Sequence, residues 1–337
     1  MIKNITYIII LSILTSSCFK KDEVIEPHLP GDITTVVVPM TMYYTNQVYV
    51  NLDDTDFTSI NNRSDFDLNF SCNDTSSVIR LNTANFGLAA ITEFEDFESV
   101  TDTSGLNWKF DGSTGDLDSL AFDNWITISN GDTSFSKRVW VMNRGISSLG
   151  VQLGLIKLKF TGLVGNKFYF THCNMDNSNL TNAAVEKNPE HITTQYSFKE
   201  MLQMQIEPNF DNWDLIFTQY TTMLYTTDGL AYPYLVTGVM QKYDMISVAL
   251  DTTLVFSDIN LSDTLLMDFS ENFDKIGYDW KELIGDVNTG NISYEAKLNY
   301  NYIIRDEQLV YYKLRFISFY NPETGEKGYP TFEYQRL

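Results

Sequence analysis

Large apolar residues recur at every second position in Asn212-Trp213-Asp214-Leu215-Ile216-Phe217-Thr218-Gln219-Tyr220, and a degenerate copy, Asp65-Phe66-Asp67-Leu68-Asn69-Phe70, lies far upstream. Trp213, Leu215 and Phe217 in one, and Phe66, Leu68, Phe70 and Cys72 in the other, have the period of a strand with one buried face. The aspartate beside each aromatic is expected to point away from that face. A chain built on this pattern has to pair its strands.

Two further stretches repeat in the same order and at similar separations: Phe97-Glu98-Ser99-Val100 with Phe256-Ser257-Asp258-Ile259, and Lys157-Leu158-Lys159-Phe160 with Lys313-Leu314-Arg315-Phe316. Ordered matches of this kind indicate internal duplication. In the last pair the leucine and phenylalanine face a core, so Lys157, Lys159, Lys313 and Arg315 are expected to face water. Val36-Val37-Val38, limited by Pro39 to an edge or a strand end, Gln47–Leu52, Val78–Asn82 and Phe86–Ala90 read as further strands. Asn321-Pro322-Glu323-Thr324-Gly325 is a turn into a closing hairpin at Tyr329–Tyr334. Only 199–206 and 278–284 read as short helix. The expected architecture is all-β: two tandem antiparallel β-sandwich-like domains over 34–185, the more divergent copy, and 190–337.

Lys3, the apolar run Ile5–Leu14 and the small residues Thr15-Ser16-Ser17 before Cys18 form a secretory signal, residues 1–17, too short to span a bilayer. The ending resembles a bacterial lipobox, with Thr15 where leucine is usual. The resemblance implies cleavage before Cys18 and acylation of its thiol. Phe19-Lys20-Lys21-Asp22-Glu23 resembles the export signal that carries some lipoproteins to the outer face of the outer membrane. Residues 18–33, with Pro27, Pro30 and Gly31, read as a linker. Of the other cysteines, Cys72 and Cys173 admit either a disulfide or two separate buried thiols.

The second copy, from His191 to Leu337, carries Tyr196-Ser197-Phe198, Trp213-Asp214-Leu215-Ile216-Phe217, Gly238-Val239, Ile276–Lys281, Tyr302-Ile303-Ile304, Tyr311–Phe316 and Gly325-Glu326-Lys327-Gly328. In these motifs it resembles the HmuY family of haem-binding lipoproteins. The resemblance implies an all-β fold, an N-terminal lipid anchor, and capture of haem for a TonB-dependent outer-membrane receptor. Haem iron takes axial donors such as histidine or methionine. This chain has His28 in the linker, and His172 and His191, for which a structural role is expected. Met240, Met245 and Met267 lie in the region from which the family draws its ligands and are the candidate haem ligands.

The net charge of −21 and the absence of any basic cluster oppose nucleic-acid binding. No phosphate loop, HExxH or GxSxG motif is present, so no enzyme is expected. Asp111–Asp118 lacks calcium-loop spacing and reads as a turn. Tyr294, Tyr300, Tyr302, Tyr311 and Tyr312 suit either stacking on a ring ligand or packing on a sheet. Two classes of function follow: a ligand-capture lipoprotein of the haem-acquisition type, and a non-enzymatic structural or partner-binding subunit of an outer-membrane assembly.

Overall fold

A computed structural model describes residues 30–53, 57–129, 131–286 and 289–337; the signal sequence, Cys18 and His28 lie outside them. In chain order the strands of the first half are β1 (Thr34–Val37), β2 (Asn46–Val50), β3 (Phe57–Asn62), β4 (Leu68–Ser71), β5 (Ile79–Leu81), β6 (Leu88–Ile91), β7 (Ile126–Ser129), β8 (Asp132–Phe135), β9 (Trp140–Asn143), β10 (Leu155–Val164) and β11 (Lys167–Asn174). Those of the second half are β12 (Thr181–Glu186), β13 (Thr193–Ser197), β14 (Leu202–Met204), β15 (Leu215–Tyr225), β16 (Ala231–Gln241), β17 (Ser247–Asp251), β18 (Lys281–Asp286), β19 (Asn291–Ala296), β20 (Asn301–Arg305), β21 (Tyr311–Tyr320) and β22 (Lys327–Arg336). The helical elements among the described residues are short 3-10 turns. The expected all-β class is therefore what the chain forms.

Each lobe is a five-stranded sheet packed on a four-stranded one. The N-terminal lobe has β12-β11-β10-β9-β6 over β14-β13-β4-β5, and the C-terminal lobe has β1-β22-β21-β20-β17 over β16-β15-β2-β3. All the pairings are antiparallel. The N-terminal core holds Phe70, Trp125, Trp140, Phe160 and Phe170. The C-terminal core holds Phe217, Trp280, Phe316 and Phe332, with Phe217 stacked on Phe332 at 5.5 Å and Trp280 on Phe316 at 4.0 Å. Offset aromatic stacks of this kind add to the burial of their area.

A linear boundary near residue 185 does not separate the sheets. β1, β2 and β3 leave the first half to pair with β22 and β15, while β12, β13 and β14 leave the second half to pair with β11 and β4. Gly31–Leu337 is accordingly one compact unit. The reason is register: β4 and β15 are each the inner strand of a four-stranded sheet, and the neighbour that satisfies the free edge of each comes from across the molecule.

The three sequence-matched stretches occupy matching places. Asp67 accepts the Phe198 amide at 2.7 Å, and Asp214 the Leu52 amide at 2.7 Å. Asp67 is also paired with Arg144 and is buried, so its carboxylate ties the incoming strand to the sheet. The expectation for the lysines fails. Lys157 is 0% and Lys313 2% exposed. Lys157 Nζ donates to the carbonyls of Phe97 and Val100 at 2.6 and 3.2 Å, and Lys313 Nζ to those of Phe256 and Ile259 at 2.8 and 2.9 Å. Each matched tetrapeptide is thus a loop pinned to its sheet by the matched lysine, and an ammonium with several carbonyl acceptors tolerates burial that a bare one would not. Burial holds the Lys313 amine below its ordinary range. Lys159 and Arg315, two residues along each strand, are more accessible.

The two stretches expected as helix contain β14 and β18 instead, because each segment finds a partner strand in β13 or β19. β1 is an edge strand and the chain closes on the β21–β22 hairpin, both as expected. Cys72 and Cys173 are separate free thiols, both buried.

Strand exchange sets a testable boundary. A fragment of residues 62–209, holding β4 to β14, should unfold cooperatively in urea, whereas residues 34–185 should show no cooperative transition. Separately, Lys157→Met and Lys313→Met keep the stem's volume but leave two carbonyls without donors, and each should cost about 1–3 kcal/mol of unfolding free energy.

Candidate functional site

Strand alternation leaves one face of each four-stranded sheet outside its own core. On β4, Leu68 and Phe70 go inward, so Asn69 and Ser71 go outward; on β15, Leu215 and Phe217 go inward, and Ile216 and Thr218 outward. These two outward faces line a cavity of about 870 Å³, together with Arg80 of β5, Tyr49 of β2, Thr193 of β13 and Met240 of β16. That size lies within the range of small-molecule sites, about 300–1,000 Å³. Both halves of the chain supply its walls.

Three of the side chains that line it are candidate iron donors. Met240 and Met245 line the cavity, and so does His191. Met267 does not; it packs beside Phe269 and Tyr311 against Ala249, Ile259, Ile303 and Leu337. His191 has the hydrogen bond expected of a structural histidine, Nδ1 to the Pro208 carbonyl at 2.9 Å. A carbonyl only accepts, so Nδ1 is the donor and Nε2 is the ring nitrogen turned to other partners, the arrangement that orients a metal-binding imidazole. Nothing in the sequence around His191 signals this, because its partner wall comes from strands far along the chain. His172, by contrast, is buried among Phe170, Phe198 and Tyr196, and burial pushes it down to about 4, so it stays neutral as a core residue.

The cavity's charges are unequal. Arg80 is held by the Gly115 carbonyl at 2.8 Å and lies over the rings of Tyr243 and Phe273, at 5.4 and 5.2 Å, which fixes a guanidinium on the wall. Four carboxyls also line it, Asp74, Asp111, Glu207 and Asp244, and of these Glu207 and Asp111 are almost fully buried. Glu207 accepts the amides of Ile192 and Thr193 at 2.7 and 3.2 Å and the Thr193 hydroxyl at 2.5 Å, yet burial outweighs these bonds and raises it to about 7. Asp111 accepts the amides of Leu81 and Ala121 at 2.6 and 2.7 Å and is raised by burial to about 6. Near neutrality Glu207 is therefore substantially protonated, which lowers the negative charge presented to a ligand. The neighbouring Asp116 accepts the Asp118 amide and caps a 3-10 turn, as the turn reading of that segment expected.

Among the described residues no group of three or more His, Cys, Asp or Glu side chains is placed to hold a bare metal ion. Of the clustered tyrosines, Tyr302 and Tyr312 are core residues, and Tyr294 and Tyr300 pack on the same core.

The family model for the HmuY protein matches residues 43–334. Among curated proteins none matches. Three solved structures are similar. The apo HmuY analog of Tannerella forsythia is 11% identical, with 91% of this chain and 96% of that one covered at a TM-score of 0.20. A Bacteroides fragilis protein described as a lipoprotein is 15% identical over 53% of this chain and 88% of that one, at 0.20. A Bacteroides vulgatus protein described as HmuY-like and haem-binding is 13% identical over 53% and 90%, at 0.19. Overlays this loose carry no weight, and the family model alone decides kinship.

Because the raised Glu207 carboxyl binds its proton more tightly folded than unfolded, its contribution favours the fold below about 4.5 and is lost as pH rises to about 7. Glu207→Gln should remove that loss and raise stability at pH 8 by roughly 2 kcal/mol, read by urea unfolding at pH 5 and pH 8.

Proposed function

The chain belongs to the HmuY protein family, and we propose that it is a carrier that captures haem, or a closely related ring, in the cavity between its two four-stranded sheets. The observation that supports this is the presence of Met240, Met245, His191 and Arg80 among the residues lining one cavity. Thioether sulfur and neutral imidazole are the donors haem iron accepts, and a fixed guanidinium is the partner a ring carboxylate needs. Met240, Met245 and His191 would supply donors to the iron of a bound haem, Tyr49, Trp213 and Ile216 apolar contact, and Arg80 a charge partner. The reading includes no reaction on the ligand. It also takes 34–185 and 190–337 as two versions of one unit, with β1 to β3 of the first and β13 and β14 of the second exchanged between lobes.

In the same reading Cys18 is the acylated N-terminus of the mature protein, the outer face of the outer membrane is its place, and a TonB-dependent receptor takes the ligand from it. A surface feature that suits a partner is the 3-10 turn Leu261–Leu266, held by an Asn260–Asp263 capping box, on which Leu265 and Leu266 are 83% and 93% exposed. Two adjacent leucines left in water on a rigid turn favour a protein contact. That feature also favours the second reading, a partner-binding subunit of an outer-membrane assembly that holds no haem.

Titration of the purified soluble chain with haem separates the two. A shifted Soret band should appear and saturate, and His191→Ala, Met240→Ala and Met245→Ala should be compared at matched thermal stability. At least two of them should weaken binding tenfold or more, and wild-type affinity should be lower at pH 8 than at pH 6, because ionised Glu207 repels the ring carboxylates. A spectrum identical to that of free haem at every ratio, or one untouched by all three substitutions, would end the haem reading.

A further inference from the structure

The segment Asp111–Leu117 reads from sequence as a turn, yet in the fold it crosses from one lobe to the other. It belongs to the N-terminal lobe, where Asp111 is tied to the amides of Leu81 and Ala121 at 2.6 and 2.7 Å. Beyond that anchor its partners are in the C-terminal lobe. Ser113 Oγ donates to Asp274 Oδ2 at 2.5 Å and lies 2.8 Å from Thr222 Oγ1 on β15. The Phe273 amide donates to the Thr114 carbonyl at 3.1 Å. Gly115 lies so near the Phe273 ring that a Cβ there would stand 2.8 Å from two ring carbons, and its φ of +87° suits glycine. The Gly115 carbonyl also takes Arg80, whose guanidinium covers that same ring.

These contacts stand at the border of the inter-sheet cavity. Asp111, Gly112, Ser113, Leu117 and Phe273 line it. Ser113 is buried, while Thr114 and Asp116 on the outer side of the segment are exposed. Another loop on the wall, Asn73–Ser76, is held within its own lobe: Lys187 Nζ donates to the carbonyls of Asn73, Asp74 and Ser76 at 2.6, 3.2 and 2.7 Å. That loop moves with its lobe, whereas Asp111–Leu117 has one end in each. A few side-chain hydrogen bonds and one ring contact also open at lower cost than the strand ladders that make up the rest of the two sheets.

We propose that Asp111–Leu117 is a clasp that closes the border of the cavity, with Ser113 and Gly115 as the positioning residues that set how readily it opens. Released from Asp274, Thr222 and Phe273, the segment stays anchored at Asp111 and uncovers the cavity from the side of the C-terminal lobe. Gating of this kind acts on the rates at which a ligand enters and leaves. The role rests on the cavity being the ligand site, and it adds the element that controls access to it.

The first measurement needs no ligand. Cys72 lines the cavity and is 3% exposed, while Cys173 is 1% exposed and lies outside the lining. The purified soluble chain is treated with iodoacetamide, and the alkylation rate of each thiol is read by peptide mass spectrometry. Ser113→Ala, which removes two hydrogen bonds, and Gly115→Ala, which drives a methyl into the Phe273 ring, should each raise the Cys72 rate tenfold or more and leave Cys173 unchanged. Asp274→Asn, which keeps an acceptor for Ser113, should stay within threefold of the wild type. A Cys72 rate unmoved in both alanine variants would overturn the clasp, as would equal acceleration of the two thiols, the mark of general loosening.

The second measurement uses haem as the probe and apomyoglobin as its acceptor. Both alanine variants should release haem at least fivefold faster than the wild type, and Asp274→Asn at nearly the wild-type rate. Unchanged release alongside faster alkylation would also overturn the proposal, because the opening would not then govern the ligand. Should the wild type bind no haem, the haem reading falls and the thiol rates alone decide the clasp. Haem binding with unmoved thiol rates leaves that reading standing and removes the clasp.

Discussion

A strand at the margin of a sheet carries backbone donors and acceptors that need partners, and in this chain the partners come from the opposite half. β4 is completed by β13, and β15 by β2. Every other feature is arranged around that exchange. It brings the two four-stranded sheets together with their outward faces opposed, and the space between those faces is the cavity. The outer edges of the five-stranded sheets are covered locally, Ala89 by Lys109 and Val248 by Ser270. Pairing or covering such edges is how β-proteins avoid pairing with their neighbours.

The period-two signal was enough to read the strand class, the closing hairpin and the edge position of β1 directly from residues, because alternation is a local property. What the same signal could not carry was anything decided by distant partners. Lys157 and Lys313 sit at positions that alternation assigns to water, and they are buried because loops more than fifty residues away in sequence supply carbonyls to their ammonium groups. Asp67 is buried for a like reason, its partner amide coming from Phe198. The segments that read as helix became strands because β13 and β19 were there to pair with them. Propensity over a few residues is a weak prior that pairing overrides.

The candidate site shows the same division. Met240 and Met245 were legible as candidates from their place between two matched strands, while Met267, equally placed in sequence, packs into a separate small core. His191 was read as structural from its position at a junction; the structure gives it that hydrogen bond and a place on the cavity as well. Arg80 and Glu207 had no sequence signal, and Asp111 only that of a turn. Their importance arises from being brought to one space by the exchange, where burial raises the two carboxyls.

The pairing of β1 with β22 has an effect on how the molecule is made. A chain that emerges from its N-terminus can finish the lobe made of β4 to β14 before the strands that follow Met204 have been made. The opening three strands have no such option. They must wait, unpaired, until the final residues arrive, and contacts of this sequence span form slowly. The lobe that takes in the first three strands is thus the last to close, so maturation runs from the middle of the polypeptide outward to its two ends.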